Sequence, residues 1–172
     1  MLINLSDVLS EQHKPIIQDV VPELEKVKLA SGIFSIISKV PMHIEITHIS
    51  GKELMIEGCA CISTEIPCDR CLIPVSEELD LRFAKRVNLE MEDETELDEA
   101  NYIDGYYLDV DQLLYNEILI GWPMKILCCE DCRGICSSCG QNLNKGTCEC
   151  EDTSLDPRMS VVRDVFKNFK EV

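Results

Sequence analysis

The stretch from Cys128 to Cys150, CCEDCRGICSSCGQNLNKGTCEC, constrains this chain more than any other, because it holds seven of the eleven cysteines. The spacing is Cys128-x3-Cys132-x3-Cys136-x2-Cys139-x8-Cys148-x-Cys150, with Cys129 as an extra. Cys136-Ser137-Ser138-Cys139-Gly140 has the form of a zinc knuckle. Two thiolates two residues apart turn toward one ion if the backbone bends sharply, and the glycine that follows tolerates the positive φ of such a bend. Asn142, Asn144 and Gly146 supply turn chemistry, and Cys148 and Cys150 return to close the loop. The expectation is a four-cysteine Zn²⁺ site.

A second Cys-x2-Cys lies far upstream, in Pro67-Cys68-Asp69-Arg70-Cys71-Leu72-Ile73-Pro74. It stands in a turn between expected strands. A redox-active pair usually sits at a helix N-terminus, where the dipole lowers the thiol pKa, so metal or structure is favoured over disulfide exchange. Four pairs are then in play: 68/71, 128/132, 136/139 and 148/150. The short loop between Cys139 and Cys148 favours joining the last two, which leaves Cys68 and Cys71 to meet Cys128 and Cys132. The rival is one ribbon-like site from 128/132 and 136/139. The metal count is therefore one or two structural Zn²⁺ ions. Cys59 and Cys61 share one side of a strand and read as buried small residues; Cys129 is an alternative ligand or a spare thiol.

Around these motifs the chain reads as α+β. Residues 1–40, broken by Pro15, Pro22 and Ser31-Gly32, read as irregular after a possible first strand. Val40 to Ile49 alternates as a half-buried strand and Glu53 to Cys61 returns from a turn at Ser50-Gly51-Lys52. Val75 to Val87 is another strand, with Leu79, Leu81 and Phe83 on one side. His43 and His48 read as polar-face residues. Residues 90–99 carry seven acidic side chains and no basic one, which reads as a solvated loop. Gly105 to Val110 gives a short strand. Asp111 is expected to cap a helix over 111–121 that Pro123 ends, with Leu114, Ile118 and Trp122 toward the core. Asp156-Pro157-Arg158 opens a final amphipathic helix. The expected layout is a β-rich, barrel-like, mostly antiparallel region over 1–124, a zinc module over 125–152 and a terminal helix over 153–172.

Charge narrows the function. The net charge is −16, and a closed four-thiolate Zn²⁺ centre adds further negative charge. Phosphate contact is electrostatic, so direct nucleic-acid binding is disfavoured and a basic protein is the more natural partner. Neither a membrane-length apolar run nor a signal-peptide pattern is present, and clustered reduced cysteines suit the cytoplasm. No H-E-x-x-H, nucleophile elbow or glycine-rich phosphate loop occurs, so no enzyme is expected.

Cys68-x-Arg70-Cys71-Leu72-x-Pro74, the helix ending at Pro123, and the run Cys128-x3-Cys132-x-Gly134-Ile135-Cys136-x2-Cys139-Gly140-x-Asn142-Leu143-Asn144 carry a resemblance. With Cys148-x-Cys150 and Asp156-Pro157-Arg158, they make residues 40–165 resemble the bacterial YceD family, the large ribosomal RNA subunit accumulation proteins. The resemblance implies a non-catalytic role in large-subunit assembly and rRNA accumulation. It also implies a basic ribosomal protein or pre-ribosomal particle as partner, since the family's genes often adjoin that of a large-subunit ribosomal protein. Two alternatives stand beside it. One is a redox-sensing zinc protein. The other is a direct RNA-binding module that uses Arg70, Arg82, Lys85 and Arg86 as a local patch.

Overall fold

The computed structural model describes residues 1–89 and 101–150. The acidic segment 90–99 and the expected helix over 153–172 lie outside the described residues. The chain divides into two compact units, Met1–Ile66 with Ser76–Met124, and Pro67–Val75 with Lys125–Val172. The loop 67–75 therefore groups with the cysteine-rich C-terminal part, although the β-rich region of residues 1–124 surrounds it in sequence.

The first unit is α+β and mostly antiparallel. Its long elements are β5 (Met42–Ser50), β6 (Glu53–Pro67) and β7 (Pro74–Asn88). Leu54, Ile56, Ala60, Ile62, Thr64 and Ile66 of β6 are buried at period two. One face of the strand is thus fixed against the core, and the phase is set by its large aliphatic residues. β5 pairs antiparallel with the first half of β6, Ile46 opposite Ile56. Ahead of it, β4 (Gly32–Lys39) pairs with the second half, Lys39 opposite Ile62. The two strands run along the same edge of β6, joined by the Val40 N–H to Cys61 carbonyl bond of 3.0 Å. Pro41 interrupts them because it has no N–H to give the ladder. β7 pairs with β6, and the Leu89 N–H to Lys52 carbonyl bond of 3.1 Å closes the far end of that hairpin.

Residues 1–40, expected to be irregular after a possible first strand, form that strand as β1 (Leu2–Asn4) and then α1 (Ser6–Leu9), β2 (Ile16–Val20), β3 (Lys26–Leu29) and β4. β2 pairs with β5 and β3 with β4, both antiparallel. Most of these elements are too short for their alternation to stand out between prolines, and they owe their order to the strands beside them. A separate three-stranded sheet runs β1, β9 (Tyr107–Asp109), β8 (Ile103–Asp104).

Helix α2 (Val110–Gly121) buries Val110, Leu113, Leu114, Glu117 and Ile118. Its cap is Asp109, whose carboxylate accepts from the Asp111 and Gln112 N–H groups at 3.0 and 3.3 Å. Asp111, the expected cap, is engaged elsewhere: it accepts from the Glu23 and Leu24 N–H groups at 2.7 and 3.0 Å. Trp122 ends the helix in an extended conformation, which the following Pro123 favours. Its ring packs on Phe34 of β4 with centroids 5.0 Å apart, and the Tyr115 hydroxyl donates to the Lys28 carbonyl at 2.6 Å. Among the described residues no helix is long and apolar enough to cross a membrane.

Candidate metal centre

Both knuckles of the second unit fold by the same local rule. In the first, the Cys68 N–H donates to the Ile73 carbonyl at 2.8 Å and the Leu72 N–H to the Cys68 carbonyl at 2.9 Å. In the second, the Cys136 N–H donates to the Gln141 carbonyl at 2.8 Å and the Gly140 N–H to the Cys136 carbonyl at 2.9 Å. The residue after the second cysteine is left-handed in both, Leu72 at φ +60° and Gly140 at φ +74°. The turn aims two sulfurs the same way and turns backbone N–H groups onto the first of them: the Ser138 N–H lies 3.4 Å from Cys136 Sγ.

These turns bring eight sulfurs into two sets, Cys68, Cys71, Cys128 and Cys132, and Cys136, Cys139, Cys148 and Cys150. Within each set all four sulfurs lie within 4.8 Å of one another. Cys68 and Cys132 Sγ are 3.8 Å apart, and Cys71 and Cys128 Sγ are 3.5 Å apart. A disulfide needs about 2.05 Å. A tetrahedron with Zn–S bonds of ~2.3 Å sets its sulfurs about 3.8 Å apart, so these spacings suit a four-thiolate metal site. Among the described residues no other group of three or more metal-ligating side chains converges in this way. The ribbon-like pairing of 128/132 with 136/139 is not the one the fold makes.

The first set is tied together by its own surroundings. Asp69 gives its N–H to the Ile126 carbonyl at 2.9 Å and accepts the Ile126 N–H on its carboxylate at 2.7 Å. Arg70 donates to the Cys132 carbonyl at 2.8 Å. Its own carbonyl accepts the Ile135 N–H at 3.1 Å, beside Gly134, where a Cβ would come within 3.0 Å of that oxygen. Cys68, Cys71 and Cys132 are buried, with Ile73, Val75 and Leu127 packed around them. The second set is less shielded from solvent: Cys139 and Cys150 are exposed and Cys136 and Cys148 half-buried.

The thiols of each set resist ionising together. Burial opposes ionisation of Cys68, yet N–H groups of Arg70, Cys71 and Cys128 outweigh it and bring the thiol down to about 6. Burial also opposes Cys132, where the Asn144 amide and the Gly134 N–H pull the thiol below its usual range. The neighbouring Cys71 thiol, then burial, push Cys128 far up. In the second set, the Cys139 and Ser138 N–H groups bring Cys136 down to about 6, whereas Cys139 pushes Cys150 up to about 12. Each site thus stabilises its first thiolate and repels the last. A divalent cation at the centre supplies the counter-charge that four thiolates need.

The remaining cysteines are not members of either set, although Cys129 adjoins the first. Cys129 is exposed, its sulfur 3.9 Å from Cys128 Sγ. Cys59 and Cys61, expected to be buried, are exposed and half-exposed. They occupy the phase of β6 opposite to its aliphatic residues, and the Cys61 thiol donates a hydrogen bond to the Asp80 carboxylate, which raises the thiol pKa. His43 is exposed and pairs with Asp19 at 2.7 Å, while His48 stacks on His13 at 3.7 Å. Of the four residues of the basic patch, Arg70 is bound as above, Lys85 pairs with Glu117 at 2.8 Å and Arg86 with Glu53 at 2.7 Å. That leaves Arg82 on an exposed position of β7.

Two closed four-cysteine sets carried by a mostly antiparallel α+β chain define a cysteine-rich protein able to hold metal. Residues 56–166 match the family described as large ribosomal RNA subunit accumulation protein YceD. The chain belongs to that family, whose description places it in the accumulation of large-subunit ribosomal RNA. The match takes in most of β6, β7, α2 and both cysteine sets, and leaves β1 to β5 outside it. No curated protein and no solved structure matches the chain.

Proposed function

We propose that this protein is a non-catalytic, cytoplasmic factor of large-subunit assembly that carries structural Zn²⁺ and acts by binding a basic ribosomal protein or a pre-ribosomal particle containing one. The family supports the ribosomal part. Zinc is supported by the all-sulfur donor sets and their spacing, and a structural role by their closure: four protein ligands leave no position for water or substrate.

The choice of a basic protein over RNA rests on where the charge lies. Of the 32 acidic and 16 basic residues, the unit formed by residues 1–66 and 76–124 holds 23 acidic and 8 basic, a net −15, and the cysteine-rich unit holds 9 and 8. Glu57, Glu65, Glu78 and Asp80 stand on exposed positions of β6 and β7. Such a surface repels phosphate and attracts basic segments from a distance.

Titration calorimetry with purified basic large-subunit proteins, repeated at rising salt, tests this. The expected result is salt-sensitive binding of at least one of them, lost when Glu57, Glu65, Glu78 and Asp80 are changed to Lys. No protein binding, together with low-salt binding of naked large-subunit RNA, would replace the proposal with direct RNA recognition.

A further inference from the structure

Asn144 lies in the loop that the second cysteine set closes, yet its side chain reaches a sulfur of the first. Its Nδ2 donates to Cys132 Sγ at 3.3 Å. Its Oδ1 accepts the Arg133 N–H at 2.7 Å. Its backbone N–H and Nδ2 both bond Asn142 Oδ1, at 2.9 and 3.0 Å. The carboxamide is therefore fixed at both ends. The loop is also laid against the segment that follows Cys132: the Leu143 N–H donates to the Gly134 carbonyl at 2.9 Å, and Ile135 and Asn142 form an antiparallel bridge.

Cys132 is buried. A buried thiolate that already shares a cation with three others still carries excess negative charge, and a donor N–H on the sulfur is the means of offsetting it. Partners of this kind, bonded to a ligand rather than to the metal, typically alter metal affinity 10–100-fold. Here the partner belongs to a loop whose two ends, Cys139 and Cys148, are ligands of the other set. With that set empty the loop loses both metal tethers and is held only by its bonds to Arg133, Gly134 and Ile135, so the hold of the amide on Cys132 weakens.

We infer that Asn144 couples the two centres, so that the first four-cysteine set binds its metal at full affinity only when the second is loaded. This rests on reading both sets as metal centres. Asn144 is a positioning residue, and the coupling is reciprocal: metal in the first set favours loading of the second.

The test uses the full chain, reduced, stripped of metal and titrated anaerobically with Co²⁺, whose thiolate charge-transfer absorption reports each equivalent bound. Cys68→Ser with Cys71→Ser isolates the second set, and Cys136→Ser with Cys148→Ser isolates the first. Asn144→Asp keeps an oxygen for the Arg133 N–H but has no N–H for sulfur. It is expected to weaken Co²⁺ binding by the first set about 10–100-fold and to leave the second set unchanged when Cys68→Ser with Cys71→Ser has isolated it. Disabling the second set is expected to weaken the first by a similar factor, and adding Asn144→Asp to that variant is expected to weaken it no further.

An unchanged first-set affinity in Asn144→Asp overturns the inference, as does an equal loss at the isolated second set, which would mark a general role in holding the loop. Multiplying losses in the combined variant overturn it as well, because two independent effects would multiply. In each of these cases the metal reading stands. Failure of the unaltered protein to take up Co²⁺ at all would overturn that reading itself.

Discussion

Leu72 and Gly140 occupy the same place in two copies of one turn, and only one of them suits it. A left-handed residue with a Cβ is strained by about 1–2 kcal/mol. Nothing lies within 4 Å of a Cβ added at Gly140, so Gly140→Ala should cost about 1 kcal/mol through the backbone alone. Leu72 is 61% exposed and has little packing to lose. Leu72→Gly should therefore be neutral to slightly stabilising, by up to about 1 kcal/mol after the extra freedom of the unfolded glycine is counted. Denaturant unfolding of the metal-loaded variants reads both, and a cost at Leu72→Gly equal to that at Gly140→Ala would refute the strain argument. The sequence made Gly140 legible because glycine advertises positive φ. Leu72 gave no such sign, since its side chain does not favour positive φ and the hydrogen bonds of the turn itself, Cys68 N–H to the Ile73 carbonyl and Leu72 N–H to the Cys68 carbonyl, impose its conformation. The cap of α2 is Asp109 rather than the expected Asp111, because the Glu23 and Leu24 N–H groups from a distant segment engage the Asp111 carboxylate.

At the level of elements, β7 and α2 are joined by an unusual pair. Lys85 shares the phase of the buried Leu81, Phe83 and Val87, so it points inward and meets the buried Glu117 of α2. Lys85→Met leaves that carboxylate buried without a counter-ion and should destabilise the fold by about 1–3 kcal/mol. Lys85→Met combined with Glu117→Leu should recover most of the loss, because a buried ion pair is often replaceable by apolar residues of similar volume. Thermal unfolding of the single and double variants measures this; no recovery in the double variant would count against the pair being the cause. The long strands β5, β6 and β7 were legible from alternation, although β6 runs on to Pro67, beyond the Cys61 where the pattern was read to stop. The N-terminal β1 was expected only as a possible first strand, and β2 and β3 were not legible, because four or five residues beside prolines carry too few alternations to count. Cys59 and Cys61 are not buried although cysteine is among the most buried residue types, because the phase of β6 is decided by its leucine and isoleucines.

For the whole molecule, the metal centres proposed for the second unit and the aliphatic core of the first predict different responses to chelation. Removing Zn²⁺ under reducing conditions should abolish hydrogen-exchange protection over 67–75 and 125–150, while β5, β6 and α2 keep theirs. Equal loss in both units would show that the first depends on the metal too. The spacing of the second set was legible because all four cysteines fall in one short segment. The first was open to rival pairings because its halves are separated by a strand, an acidic segment and a helix. Cys71 and Cys128 are 57 residues apart in the chain. At ~5–20 residues per second of synthesis, the upstream thiols wait about 3–11 s for their partners to be made, against about 1–3 s for the whole second set. The better-shielded centre of the finished protein is therefore the one whose nascent thiols stand longest unprotected, which makes its assembly the step most exposed to oxidants and to competing metals while the ribosome is still at work.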